Sequence, residues 1–368
     1  GCGEAQLQTE FVRLNHDQQR AVEKVLTAQD FALLLGMPGT GKTWTIAFIV
    51  RALVLTGKSV LITSYTHTAV DTVLLKLREF QVPFVRLGRA AQVQPLLHDS
   101  LLEAGDGLRS MATLDAKLGT AQVVATTCLG MRHAALASRR FDVCIVDEAG
   151  QILEPVCLGP LRLASSFVLV GDHNQLPPLV VSAQAAEEGM GESLFSRLAY
   201  AHPQSVQRLT FQYRMNRDIM SVCNTLVYAN QLQCGDDRVA DATLSLPRFD
   251  RLQILRAEGM CAGEGNGMGW LEECFVPHRS VLFLDTDGIS PAPLEDGLVP
   301  KKGEEEAEEE IEGDEVAREE KRCKRKRDRG CPSNLTNPTE ARLAAQLVTG
   351  SVVGGVRAER VAVISPLR

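Results

Sequence analysis

Gly36-Met-Pro-Gly-Thr-Gly-Lys-Thr43 constrains this chain more than any other stretch, because it fits the G-x-x-x-x-G-K-[ST] phosphate loop at every position. Its surroundings are those the loop requires. Phe31-Ala-Leu-Leu-Leu35 before it reads as a short apolar strand that stops at Gly36, and Thr43 to Leu55 reads as a helix with few breakers. Glycines let backbone N–H groups close around phosphate oxygens, and the helix N-terminus adds partial positive charge. Gly36, Met37, Pro38, Gly39, Thr40, Gly41, Lys42 and Thr43 are therefore the expected nucleotide-binding residues. Lys42 is expected to reach the β- and γ-phosphates, and the Thr43 hydroxyl to hold Mg²⁺. An accidental Gly-rich turn is the plain alternative, and the flanking strand and helix argue against it.

A phosphate loop names no reaction until its partners are found. Val143-Cys-Ile-Val-Asp-Glu148 is an apolar strand ending in two acids, about a hundred residues downstream. Asp147 is expected to hold Mg²⁺ through water, and Glu148 to polarise an attacking water. A third apolar run ends in Gly171-Asp-His-Asn-Gln-Leu-Pro-Pro178, where the neutral amide of Gln175 can hydrogen-bond the γ-phosphate or the water. Upstream, Leu14-Asn-His-Asp-Gln-Gln19 opens a helix. Gln18 offers the donor-plus-acceptor amide that can read N6 and N7 of adenine. An ordinary helix start capped by Asn15 or Asp17 is the rival reading. In Phe211-Gln-Tyr-Arg-Met-Asn216, Arg214 is expected to arrive from a facing lobe and stabilise charge developing on the γ-phosphate. Tyr213 either stacks on the base or packs.

From Leu14 to Tyr200, short apolar strands alternate with amphipathic helices, the pattern of a parallel α/β sheet. Strands are expected at Phe31–Leu35, Ser59–Ser64, Gln122–Thr126, Phe141–Asp147 and Ser166–Gly171, and again at Ser280–Asp285 and Arg360–Ser365. A helix is expected from about Thr339 to Thr349, an irregular lead-in over 1–13, and an inserted helical arm near 87–119. Ser64, Tyr65, Thr66 and His67 follow the second strand, and Thr126 and Thr127 a later one. Ligands bind at the carboxyl ends of such strands, and small polar groups there suit a nucleic-acid backbone. Helix capping by Thr66 or Thr68 is a fair rival for part of the first string.

The formal net charge of −7 does not exclude a nucleic-acid partner, because it is unevenly distributed. Residues 304–315 carry nine acidic groups and residues 316–329 eight basic ones. Few apolar residues and segregated charge mark the stretch near 287–334 as a disordered loop, read first as a solvated loop whose two oppositely charged halves attract each other. Lys321-Arg-Cys-Lys-Arg-Lys-Arg327 as a nuclear-import signal or nucleic-acid contact is the rival reading. No apolar run approaches the ~18–20 residues of a membrane span. The ten cysteines form no C-x-x-C pair, so reduced, mostly buried thiols are expected.

Taken together, the ordered strings resemble superfamily 1 helicases of the 5′→3′ branch. Thr63-Ser-Tyr-Thr-His-Thr-Ala-Val-Asp71, Val124-Ala-Thr-Thr-Cys128 and Gln212-Tyr-Arg-Met-Asn216 are worded most like the eukaryotic replication helicase–nucleases. The resemblance implies an α/β P-loop NTPase fold of two RecA-like parallel-sheet lobes, the second incomplete, with lobes at 1–204 and 205–368. It implies an ATP hydrolase and 5′→3′ DNA helicase that uses ATP and Mg²⁺ on single-stranded DNA and 5′ flaps. The parent would process Okazaki-fragment flaps and resect broken ends, in the nucleus and also the mitochondrion, alongside a single-strand-DNA-binding protein and no membrane. Its nuclease domain, with an iron–sulfur cluster, and its last two helicase motifs are expected outside these 368 residues. The chain alone is then expected to turn ATP over poorly, since the charge around the γ-phosphate is incompletely preorganised. Turnover equal to that of a chain extended through those motifs would refute this. Where these proteins usually have Ala-Ser after the acid pair, this chain has Ala149-Gly150. An RNA helicase of the nonsense-mediated-decay type and a catalytically incomplete, nucleotide-bound scaffold are the competing readings.

Overall fold

In a computed structural model, residues 2–102, 111–251, 273–285 and 338–364 are described. Two compact units divide the chain, Gly1–Asp241 and Ala242–Arg368. The first is built on a seven-stranded sheet: β1 (Phe31–Gly36), β2 (Val60–Ser64), β3 (Val85–Arg86), β4 (Val123–Thr127), β5 (Phe141–Val146), β6 (Ala164–Gly171) and β7 (Val206–Leu209). Their spatial order is β3-β4-β2-β5-β6-β1-β7, and every pairing is parallel. Parallel strands covered on both faces have no solvent side, which is why β1, β2, β4 and β5 read as continuous apolar runs.

The five strands expected between residues 31 and 171 all form, with ends shifted by at most two residues. Strands β3 and β7 were not anticipated. Both lie at sheet edges, and Val206-Gln-Arg-Leu209 is half polar because one side of an edge strand has no neighbour. Its pairing with β1, Leu33 beside Val206 through Gly36 beside Leu209, draws residues beyond 204 into the first unit. A two-stranded parallel pair, β8 (Phe211–Gln212) and β9 (Gln233–Cys234), follows.

Helices α1 (Cys2–Phe11), α2 (His16–Thr27), α3 (Lys42–Leu55), α4 (His67–Glu79), α5 (Met111–Thr120), α6 (Glu154–Leu161), α7 (Leu194–Ala201) and α8 (Arg217–Leu226) pack around these strands. The irregular lead-in expected over 1–13 is instead largely α1. Its Leu7 and Phe11 pack on the core and Glu10 pairs with Arg51 of α3, so tertiary contacts hold a stretch with little periodicity of its own. Helix α3 is apolar nearly all round and is buried from Thr45 to Leu53, as the central helix under a sheet must be. Cys144 and Cys157 are wholly buried filler. Of the arm expected at 87–119, the described residues form 3₁₀ turns at Ala90–Gln92 and Pro95–Ser100, then α5.

In the second unit, α9 (Pro338–Val353) covers the expected helix. The strand expected at 280–285 is coil throughout, and that at 360–365 is a 3₁₀ turn and coil over its described residues. Phe283 and Ile364 are 91% and 92% exposed. β-propensity reports fit to a half-buried pleated surface, and no ladder partner meets these segments among the described residues. The charged loop near 287–334 lies outside the described residues. No described helix is long and apolar enough to cross a membrane.

Candidate nucleotide site and strand-binding clefts

The chain leaves β1 at Gly36 and re-enters regular structure at Lys42, so the loop sits at the carboxyl end of a central strand. Gly39 and Gly41 have φ of 75° and 80°, which L side chains adopt only with strain. A Cβ on Gly36 would lie 2.2 Å from Lys42 Cγ, so the lysine stem runs directly over that glycine. Lys42 Nζ donates to Gly36 O at 2.9 Å and stands 3.9 Å from Glu148 Oε1. Thr40 closes the loop by donating to Met37 O at 2.7 Å.

The acid pair emerges from β5. Asp147 is buried, and its Oδ1 accepts the Glu148 N–H at 2.9 Å. Burial, aided by the Glu148 charge and opposed by Lys42, pushes its carboxyl up to about 7. Glu148 adopts φ 54°, a left-handed conformation that turns the chain sharply off the strand. Gly150, the departure noted above, packs so closely that a Cβ would lie 2.8 Å from Asp172 O. Glycine here seats the acid loop against the loop that bears Gln175.

Asp172 organises that second loop. It is 2% exposed, and its Oδ2 accepts from Gln175 Nε2 and from the Tyr228 hydroxyl, both at 2.8 Å. Tyr228 packs with Met37 and Leu232, so this tyrosine joins the phosphate loop to the amide beside it. No sequence pattern pointed to Tyr228, which lies 56 residues from its partner. Tyr228→Phe is expected to cost about 1–2 kcal/mol of stability. It should also slow ATP hydrolysis about tenfold with little change in ATP affinity, because it loosens Gln175. Thermal melts and single-turnover assays check this, and unchanged turnover would refute the positioning role.

Arg214 and Tyr213 reach the same place from the β8 turn. Tyr213 N–H donates to Gly39 O at 2.9 Å, and a Cβ on Gly39 would meet Arg214 Cβ at 2.7 Å. Fully buried Gln212 fixes the turn, its Oε1 accepting the Arg214 and Met215 N–H groups at 2.8 and 2.7 Å. Arg214 therefore lies in the same compact unit as the phosphate loop rather than on a facing lobe, because β7 carries the chain back to β1. A cleft of about 830 Å³ is lined by residues 37–43 together with Glu148, Gln175, Tyr213 and Arg214.

Beside it a second cavity, about 520 Å³, is lined by Asn15, Gln18, Gly41, Trp44, Phe80 and Tyr213 among others. Asn15 is the N-cap of α2, and Gln18 completes a capping box by accepting Asn15 N–H at 3.3 Å. Gln18 Nε2 donates to Thr40 O at 3.5 Å, so the amide also touches the phosphate loop. Asp17 does not cap; its Oδ2 accepts the Thr210 hydroxyl at 2.6 Å. The Tyr213 hydroxyl accepts from Asn15 Nδ2 at 2.9 Å, holding the ring at the cavity wall. Trp44 and Phe80, in edge-to-face contact at 5.6 Å, add an apolar wall that no motif indicated.

Thr43, on the first turn of α3, and Asp147 offer a hydroxyl and a carboxylate, hard oxygen ligands that suit Mg²⁺. A dication would also offset the burial and the Glu148 charge that together lift the Asp147 pKa. Among the described residues no cluster of three or more His, Cys, Asp or Glu forms a metal site.

The six candidate strand contacts divide between two clefts. His67, Thr126 and Thr127 line one of about 500 Å³ with Gly88, Arg89, Gln92, Gly130 and Arg132. Ser64, Tyr65 and Thr66 line another of about 830 Å³ with Glu148, Gln151 and the apolar loop Leu176–Val181. Ser64 pairs in register with Thr127 across β2 and β4, so the two clefts adjoin at the carboxyl ends of those strands. The Ser64 hydroxyl is buried without a hydrogen-bond partner among the described residues. Thr66 Oγ1 accepts from Ala69 N at 3.2 Å and caps α4, as its rival reading held.

Two AAA domain models match the chain, one over residues 13–109 and 107–183 and the other over 190–368. The DNA replication ATP-dependent helicase/nuclease DNA2 of Xenopus laevis is 47% identical over 286 residues, 77% of this chain and 27% of that protein. The protein of the same name from Mus musculus is 42% identical over 358 residues, covering 96% of this chain and 30% of its own. That from Saccharomyces cerevisiae is 40% identical over 357 residues, covering 96% and 21%. The chain thus spans between 21% and 30% of the length of these curated relatives.

Proposed function

The chain belongs to the DNA replication ATP-dependent helicase/nuclease family, and we propose that it forms the ATP-binding and strand-gripping part of a 5′→3′ DNA helicase. One observation supports this most: Lys42, Thr43, Glu148, Gln175 and Arg214 face a single cleft although the sequence scatters them over 173 positions, from 42 to 214. In the proposed reaction the loop backbone and Lys42 bind the β- and γ-phosphates. Glu148 polarises the attacking water, Gln175 orients it, and Arg214 stabilises charge spreading over the γ-phosphoryl oxygens. Thr43 and Asp147 hold Mg²⁺, which when bound neutralises charge on the phosphate oxygens. Gln18 and Tyr213 select and stack the adenine, with Trp44 and Phe80 excluding water. The second RecA-like lobe, expected from 205, would then begin after Asp241, a boundary that the division into two compact units supports.

Single-stranded DNA is the proposed polymer, gripped at the adjoining clefts that contain Ser64, Tyr65, Thr66, His67, Thr126 and Thr127. The parent's work on 5′ flaps and broken ends, in the nucleus and mitochondrion with a single-strand-DNA-binding protein, belongs to the same reading. The test is ATP turnover by the chain extended through its later helicase motifs, with no polymer, single-stranded DNA or single-stranded RNA. Stimulation by DNA alone, lost in Lys42→Ala, is the expected result. Stimulation by RNA alone would assign the clefts to an RNA strand, and no stimulation by either would favour a nucleotide-bound scaffold.

A further inference from the structure

Arg86 is the largest fully buried side chain among the described residues, and nothing in the nucleotide chemistry uses it. It lies in β3 at the sheet edge, with its donors committed in three directions. Nε donates to Asp71 Oδ1 at 2.9 Å, Nη1 to Leu87 O at 2.9 Å, and Nη2 meets His67 Nδ1 at 3.1 Å. Asp71 balances the guanidinium charge, and its Oδ2 accepts Gln94 N–H at 2.8 Å. The cluster therefore ties α4, β3 and the 90–100 segment together.

Its consequence falls on His67. A guanidinium has only donors and stays charged in proteins, so the imidazole nitrogen facing it must be an acceptor. Nδ1 then carries the lone pair, and in the neutral ring the proton sits on Nε2. Protonating Nδ1 would set two donors and two cations against each other. Burial and the Arg86 charge both lower the His67 pKa, and Asp71 opposes them only in part. Nε2 makes no hydrogen bond among the described residues, and the ring lines the 500 Å³ cleft with Arg89, Gln92, Thr126, Thr127 and Arg132. Among the described residues no carboxylate lines that cleft, whose cations, amide and hydroxyls suit an anionic, sugar-bearing backbone.

We infer that Arg86 is a positioning residue that holds His67 as its Nε2–H tautomer and so presents a neutral donor to a phosphodiester oxygen of a single strand in this cleft. The inference rests on the strand-binding reading above and names the group that makes one contact. A neutral donor adds a directional hydrogen bond without displacing a counterion, so it contributes nothing to the salt dependence of binding.

The test uses histidine-¹⁵N-labelled chain, with the His67 signals identified by their loss in His67→Ala. In the wild type, only Nε2 of His67 is expected to carry a proton near neutral pH, and oligothymidine is expected to shift that signal. Arg86→Lys keeps a cation for Asp71 but lacks the fork, so its His67 should show averaged ring nitrogens. His67→Ala should weaken oligothymidine binding about tenfold while the slope of log K against log salt stays unchanged. A charged, Nδ1-protonated or mixed His67 in the wild type would overturn the inference, and that measurement needs no variant to fold. A salt slope lowered by about one in His67→Ala would overturn it too, by revealing a charged contact. If Arg86→Lys keeps the single tautomer, Arg86 is not the positioning group, although the strand contact stands. If the tautomer is fixed but oligothymidine binds wild type and His67→Ala equally without shifting Nε2, the inference falls and the strand-binding reading stands. No binding of oligothymidine to either protein would overturn both.

Discussion

Gly36→Ala is expected to abolish ATP hydrolysis as completely as Lys42→Ala, with each variant losing about a thousandfold or more in the chemical step. The lysine variant removes the cation proposed to meet the phosphates. The glycine variant leaves the lysine in the sequence but takes its place in space. An added Cβ would lie 2.2 Å from Lys42 Cγ and 2.3 Å from Cδ, both in the middle of the stem. The stem must swing away, and the ammonium then loses its seat 2.9 Å from Gly36 O. Because both changes remove the same group from the same site, their effects should not add. Single-turnover hydrolysis by the two single variants and the double variant, in the chain extended through the later helicase motifs, checks this. Thermal melts of the same proteins show whether the fold persists. Turnover by Gly36→Ala within about twofold of wild type would show that the stem is not confined as the close approach indicates.

Asp147→Asn is expected to abolish hydrolysis and yet make the metal-free protein more stable at alkaline pH. The folded-state pKa of this carboxyl is raised from 3.8 to about 7, first by burial and then by Glu148. Between those two values the native state binds more protons than the unfolded chain, so stability falls as pH rises. The loss is complete above about pH 7 and amounts to up to about 4 kcal/mol, some three pKa units. Asparagine has no charge to desolvate and keeps an oxygen to accept the Glu148 N–H, a bond of 2.9 Å in the wild type. The variant should therefore melt well above the wild type at pH 8 in EDTA, and the gap should close as pH falls toward 4. Mg²⁺ with ATP should narrow the gap at pH 8 by binding the native wild type. A variant that melts below the wild type at pH 8 without metal would refute the buried-acid account. Any hydrolysis above about a hundredth of wild type would refute the metal-holding role.

Much of the first unit was legible because its signals are local. A strand buried on both faces must be apolar at every position, so Phe31–Gly36 and Val60–Ser64 announce themselves. A loop that wraps phosphate needs glycine where φ is positive, so residues 36–43 do as well. Edge strands escape such reading. Val85–Arg86 is two residues long, and Val206-Gln-Arg-Leu209 is half polar because one side of it has no partner strand. The opposite error occurred at Ser280–Asp285, where apolar β-formers promised a strand and the structure has coil. Composition can state that a segment would tolerate a ladder, but it cannot supply the neighbour.

The proposed chemistry of the nucleotide site was thus readable from the sequence alone, since each motif carries its own backbone geometry and its own acids, amide or cation. Tertiary structure decided what stands next to what. It brought Tyr228 to Asp172 across 56 positions and Arg214 over Gly39 in the same compact unit. It also joined buried Arg86 and Asp71 to half-buried His67 in one cluster. These are long-range contacts between side chains whose types are common on any protein surface. Burial is what makes them specific: a desolvated charge or hydroxyl must find a partner, and only the packed chain determines which one is within reach.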